Sequence, residues 1–115
     1  MARITALTFI VPVRDLDRAA AFYRDAFHLE EVFRNDQIAF VGLPGTDSAL
    51  GLLLDPESAG SGPRTVGFHV DHAVPPDEVV RDVEAAGGKI VERGEHAPGV
   101  PYARITDVDG NELWA

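Results

Sequence analysis

The chain runs through one pattern of elements twice, and that repeat constrains the fold more than any other feature. Residues 4–13, Ile-Thr-Ala-Leu-Thr-Phe-Ile-Val-Pro-Val, alternate as a strand, with Phe9, Val11 and Val13 on one face and Thr8, Ile10 and Pro12 on the other. A proline in such a run suits a sheet edge or a strand end. Asp15 is placed to cap a helix, with Asp17 in its first turn. Leu16, Ala19, Ala20, Phe22, Tyr23, Ala26 and Phe27 form an apolar stripe at helical spacing over 16–27. Strand-like runs follow at 30–34, 37–43 and 49–54, the last two separated by the turn Pro44-Gly45-Thr46-Asp47. The cycle then restarts at 65–70, Thr-Val-Gly-Phe-His-Val. Pro75 and Pro76 open a second helix, Val79, Val80, Val83 and Ala86 line it, and Gly87 and Gly88 end it. Runs at 89–93, 101–106 and 112–115 complete the cycle, with Asp107-Val108-Asp109-Gly110-Asn111 as the turn before the last. Thr8 recurs as Thr65, Phe9 as Val66, Val11 as Phe68 and Val13 as Val70, an offset of 57 residues. A period this long means duplicated modules rather than a solenoid. The expected fold is α+β: two βαβββ modules in one domain, forming a curved, cup-like eight-stranded mixed sheet with its helices outside.

At 115 residues the chain is one domain. Module one is expected over about 1–55 and module two over about 65–115. The Gly-, Ser- and Pro-rich stretch 56–64 between them has no hydrophobic period and reads as a linker. There is no cysteine, which removes disulfides, thiol catalysis, zinc knuckles and iron–sulfur clusters. Ten Lys and Arg stand against 19 Asp and Glu, a net charge of −9. Lys89 is the single lysine and the arginines are scattered, whereas phosphate contacts need clustered cations, so no nucleic-acid partner is expected. An acidic surface would suit a cationic ligand, and it also serves solubility. No apolar run approaches the roughly 20 residues of a membrane span. The start lacks the basic region, apolar stretch and cleavage site of a signal peptide, so a cytoplasmic protein with no membrane partner is expected.

Three stretches resemble the vicinal oxygen chelate superfamily of glyoxalases, bleomycin-resistance proteins and extradiol dioxygenases. Val13-Arg14-Asp15-Leu16 leading to Phe22-Tyr23 is similar to the family's strand-to-helix opening. Val66-Gly67-Phe68-His69-Val70-Asp71 is similar to the opening of its second module. Asp107-Val108-Asp109-Gly110-Asn111 looks like its Asp-Pro-Asp-Gly-Asn turn, with Val108 in place of proline. Enzymes of the family hold a divalent ion through His, Glu or Gln side chains on four strands. The resemblance carries those positions onto Thr8, Gly51, Thr65 and Trp114. Threonine hydroxyls are neutral, glycine has no side chain, and indole is a donor only. None suits a first-row divalent ion. His69 and Glu112 share the parity of Thr65 and Trp114, but as a pair they fall short of the three ligands a catalytic metal keeps. His72 has the opposite parity, and His28 and His96 read as surface or loop residues. Nothing matches a Ser/His/Asp set, a phosphate-cradling glycine loop or a close acid pair, so no catalytic residue is assigned.

By parity, the inner wall of the cup comprises Thr8, Ile10, Ala49, Gly51, Leu53, Thr65, Gly67, His69 and Trp114. Phe9, Val11, Val13, Val66, Phe68 and Val70 would be core beneath the helices. Tyr102 and Arg104 either line the cup or face solvent, and Phe33 and Phe40 are either core or pocket. Trp114 is a flat ligand-facing surface, a hydrophobic plug or a dimer contact. The wall is small, mostly uncharged and open in volume, as ligand pockets are. The expected function is metal-free and cofactor-free binding of a bulky aromatic small molecule. Within the family this implies sequestration of an antibiotic, as in bleomycin-type resistance. The alternative is a metal-dependent lyase, isomerase or dioxygenase. Relatives of this size complete their cups from two chains, so a homodimer is expected, swapped or unswapped.

Overall fold

The structure, a computed structural model, describes residues 8–60, 67–68 and 73–115. Strand β1 (Thr8–Val13) leads into helix α1 (Leu16–Phe27), then β2 (Glu30–Arg34), β3 (Ile38–Gly42) and β4 (Ala49–Leu54). Helix α2 (Pro76–Ala85) is followed by β5 (Lys89–Ala97), β6 (Val100–Thr106) and β7 (Glu112–Trp114). The first sheet has the order β1-β4-β3-β2, with β1 parallel to β4 and the other pairs antiparallel. The second is the antiparallel sheet β5-β6-β7. Gly67 bridges in parallel to Trp114, and the Phe68 N–H donates to the Trp114 carbonyl at 2.9 Å. Residues 67–68 therefore stand beside β7 as β1 stands beside β4.

The helices form where the sequence supplies caps. The Asp15 side chain accepts the Arg18 N–H at 3.0 Å, closing the first turn of α1. Pro75 is the N-cap of α2 and Pro76 its first residue, where a missing N–H costs nothing. Gly87 follows α2 in the left-handed region, φ +99°. Strand β5 extends to Ala97, past the expected end at residue 93. The hairpin to β6 turns at Gly99, φ +80°, and β5 carries register shifts at Ile90/Glu92 and Glu95/Ala97.

Helix α1 buries Ala19, Ala20, Phe22, Tyr23 and Ala26, which cover Val11, Val13, Ala39, Val41, Leu50 and Leu52 of the first sheet. Helix α2 places Val83 against Ala103, Ile105 and Leu113 of the second. Each large buried side chain is worth about 1.5–3 kcal/mol. The two helices also pack on each other. A Cβ at Gly88 would come within 2.8 Å of both Phe22 and Val83 and 2.6 Å of the Thr106 carbonyl, so α1, α2 and β6 converge there. The layers thus run sheet, helix, helix, sheet.

This differs from the expected single eight-stranded cup with helices outside. Among the described residues one chain forms two separate sheets, with the helices between them. The reason is packing: each helix covers the apolar face of its own sheet and presents its remaining apolar side to the other helix. Phe9 also departs from its expected core position and is 51% exposed. It sits at the start of β1, beside Phe27 and Leu43 in an apolar cleft of about 660 Å³. Phe68 is partly buried and stacks on Phe27 at 4.5 Å. Val66 and Val70 lie outside the described residues.

A buried polar knot joins the halves. The Tyr23 hydroxyl donates to Asp107 Oδ2 at 2.6 Å. Asp107 Oδ1 accepts the N–H groups of Asp109 and Asn111 at 2.8 and 2.9 Å. The Asn111 amide donates to Asp107 Oδ2 at 3.0 Å and to the Pro12 carbonyl at 2.8 Å, and its Oδ1 accepts the Gly60 N–H at 2.9 Å. Arg14 donates its N–H to Asp109 Oδ1 and its guanidinium to the Asp109 carbonyl, at 3.1 and 2.8 Å. Burial, then the Asp107 charge, push the Tyr23 phenol well above its ordinary 10.0. A raised folded pKa contributes stability that is full below the ordinary value and declines as pH rises beyond it. Asn111→Ala should therefore cost roughly 2–4 kcal/mol in urea unfolding, because it strands several buried partners. Tyr23→Phe should cost about 1–2 kcal/mol at neutral pH, a deficit that narrows as pH passes 10.0.

Candidate ligand-binding faces

Each sheet has one face on its helix and one turned away from it, and the residues on the uncovered faces differ in kind. On the first sheet Phe33 pairs with Phe40, Phe40 with Gly51, and Gly51 with Ile10, so all four lie in one row. Ile38, Leu53, Ala49 and Thr8 share that face by strand parity. Strands β1, β3 and β4 contain no charged residue. Ile10 and Phe33 are about half exposed, and the rings of Phe33 and Phe40 lie 6.0 Å apart. A Cβ at Gly51 would fall 2.7 Å from Ile10 Cδ1 and 3.2 Å from Phe40 Cε1. The missing side chain is what lets those two groups close over the strand.

On the second sheet the corresponding row is Glu92, Arg104, Trp114 and Gly67. Tyr102 is one step along, opposite Gly94, and its ring covers that glycine, where a Cβ would meet the phenol within 3.0 Å. The rings of Tyr102 and Trp114 lie 5.3 Å apart at 56°. The Tyr102 hydroxyl donates to Glu92 Oε1 at 2.5 Å. This bond, with burial and the Glu92 charge adding to it, raises the Tyr102 phenol. The Arg104 guanidinium lies between two carboxylates, 3.4 Å from Glu92 Oε2 and 3.8 Å from Glu112 Oε2. Lys89, paired with Thr106, stands on the same face at its far edge. A cleft of about 840 Å³ lies between α2 and this sheet, lined by Val74, Pro76, Val79, Val80 and Ala103, and reaches Tyr102 and Trp114 at its edge.

Of the expected wall, Thr8, Ile10, Phe40, Gly51 and Leu53 share the first uncovered face, and Gly67, Tyr102, Arg104 and Trp114 share the second. Thr65 and His69 lie outside the described residues. One chain does not bring the two groups together, because both helices lie between the sheets. Sequence reading missed Glu92. Plain alternation from Ile90 would put it under the helix, but the register shift between Ile90 and Glu92 turns it to the uncovered face. No residue in 89–93 signals that bulge.

The positions that the family resemblance offers to a metal do not fit one. Gly51 lies beneath Ile10 and Phe40, and Trp114 presents an indole beside Tyr102. Among the described residues no group of three or more His, Asp and Glu could hold an ion.

A doubled strand–helix–strands arrangement is the build of the glyoxalase-type fold. The profile of the Glyoxalase/Bleomycin resistance protein/Dioxygenase superfamily matches residues 3–115, and the chain belongs to that superfamily. A lactoylglutathione lyase from Agrobacterium tumefaciens superposes with a TM-score of 0.71 at 23% identity, over 99% of this chain and 93% of that one. A genomically encoded fosfomycin resistance protein from Listeria monocytogenes superposes at 0.73 and 19% identity, over 97% and 92%. A glyoxalase/bleomycin resistance protein from Catenulispora acidiphila superposes at 0.70 and 26% identity, over 94% and 93%. No curated protein matches the chain.

The donor chemistry carries a prediction. A bound ion stabilises the folded state by about 2.7 kcal/mol at a hundredfold excess over its dissociation constant. Added Ni, Zn, Fe or Mn should leave the melting temperature unchanged, and elemental analysis of purified protein should find well under one ion per chain.

Proposed function

We propose that the protein is a metal-free binding protein that sequesters a bulky aromatic small molecule, such as an antibiotic, without chemical change. The observation that carries this reading is Trp114. It occupies the last-strand position where the resemblance places a metal-ligating carboxylate, and it stands beside Tyr102 on an uncovered face. Indole and phenol surfaces stack on aromatic ligands with roughly 0.5–1.5 kcal/mol beyond burial. The fosfomycin resistance protein among the similar structures is consistent with a resistance role, and the lactoylglutathione lyase with the enzymatic alternative.

The working unit on this reading is a homodimer. Each chain carries two half-sites: the apolar face of module one, about 1–55, and the aromatic and charged face of module two, about 65–115. The 56–64 linker joins them. A cup closes when the first sheet of one chain meets the second sheet of its partner. Exposure of Ile10 and Phe33 supports this, since apolar groups on an open sheet face gain about 25 cal/mol per Å² when covered. Among the described residues no helix is long and apolar enough to cross a membrane.

Sedimentation at micromolar concentration should give a dimer, and a monomer would refute the shared cup. A thermal-shift screen of aromatic natural products should find a ligand that binds once per cup and is recovered intact. Metal-dependent turnover of such a compound would instead establish the enzymatic reading. Ligand binding should quench or shift the emission of Trp114, the chain's single tryptophan. Trp114→Ala should weaken binding roughly tenfold or more, and Trp114→Phe less. Unchanged affinity in a folded Trp114→Ala protein would make the residue a plug or interface group.

A further inference from the structure

We infer that Glu92 is a positioning residue for the ligand wall, its carboxylate fixing the Tyr102 ring against Trp114 while bracing Arg104. The inference rests on the reading of the second sheet's uncovered face as that wall. Glu92 stands on the edge strand β5 and is exposed, where a glutamate is ordinarily left to solvent. Here both its oxygens are engaged. Oε1 accepts the Tyr102 hydroxyl at 2.5 Å, and Oε2 lies 3.4 Å from Arg104 Nη2. The bulge at Ile90/Glu92 is what delivers the side chain to this face. Bulges re-aim side chains in this way beside functional sites.

The arrangement has a mechanical logic. Tyr102 lies over Gly94, which offers the ring a flat backbone rather than a side chain to pack into. A phenol on such a surface can pivot about its own Cα–Cβ bond. Anchoring the far end, the hydroxyl, stops that motion, and a carboxylate acceptor makes the anchor a charge-assisted one. Arg104 Nε also lies 3.8 Å from Glu112 Oε2, a charge contact longer than a hydrogen bond that extends the row to β7. Tyr102, Glu92, Arg104 and Glu112 thus form one polar chain across all three strands of the sheet, with Trp114 packed against its aromatic end. A wall held this way binds a planar ligand without first having to order its own side chains.

The test compares wild type, Glu92→Gln, Glu92→Ala and Trp114→Ala, all as the full chain. The neutral planar fluorophore N-phenyl-1-naphthylamine serves as probe. Glu92 is exposed at a sheet edge, so all Glu92 variants should fold. In Glu92→Ala the Tyr102 phenol should ionise at lower pH than in wild type, because its chief raising contact is gone. Acrylamide should quench Trp114 roughly twice as strongly, and probe affinity should fall roughly fivefold. Glu92→Gln keeps an acceptor for the phenol and should restore quenching and affinity to within about twofold of wild type. Unchanged phenol ionisation and unchanged Trp114 quenching in Glu92→Ala would overturn the positioning role, whatever the probe does. Equal probe affinity in wild type and Trp114→Ala would overturn the wall itself, and this inference with it.

Discussion

The structure depends on the knot around Asp107. Asp107, Asp109 and Asn111 are almost wholly buried, and burying three such side chains is costly unless every polar atom finds a partner. The turn meets part of that need internally, where Asp107 accepts two of its own backbone N–H groups. The rest is met across the molecule, by Tyr23 on α1, the Pro12 carbonyl on β1, Arg14 and Gly60. Apolar burial is non-directional and sets no register between two sheet–helix layers. These hydrogen bonds do. They fix where β6 and β7 lie relative to β1 and α1, and so how the two helices meet at Gly88.

That placement turns the uncovered faces of the two sheets away from each other. Their chemistry is divided accordingly. In the first row the glycine is on the last strand, at Gly51, and the bulk is on the first, at Ile10. In the second row the glycine is Gly67, bridged to β7, and the bulk is on β7, at Trp114. Each row thus pairs one bulky group with one vacancy, in opposite order. The first face is uncharged across β1, β3 and β4. The second holds Arg104 between two carboxylates and an aromatic corner. On the proposed reading, the apolar face and the polar aromatic face supply the two halves of a pocket shared between chains.

The chain's acidity has little to do with either face. Much of the negative charge is carried by helix surfaces and edge residues such as Asp17, Asp25, Glu30 and Asp82, which are wholly or partly exposed. On the second face, Arg104 and Lys89 offset Glu92 and Glu112. A net charge of −9 is therefore a statement about solubility more than about a ligand.

Among the described residues the sequence by itself determined the helices and strands and their order. Asp15, Pro75, Pro76 and Gly87 mark helix ends through local backbone chemistry, and the alternation in β1, β3 and β4 sorts core from open face because side chains in a strand point to alternate sides. Parity therefore placed Ile10, Gly51 and Trp114 on the uncovered faces, and left Phe40 open between core and pocket. It failed at Glu92, where a bulge adds one residue that no local pattern announces, and at Phe9, whose parity is right but which stands open in the cleft beside Phe27. What only the tertiary structure decided is the relation between the halves. Whether two helices stand outside a common sheet or pack between two sheets depends on contacts such as Tyr23 with Asp107 and Phe22 beside Gly88. These join residues more than sixty positions apart, and neither hydrophobic period nor capping chemistry reaches that far.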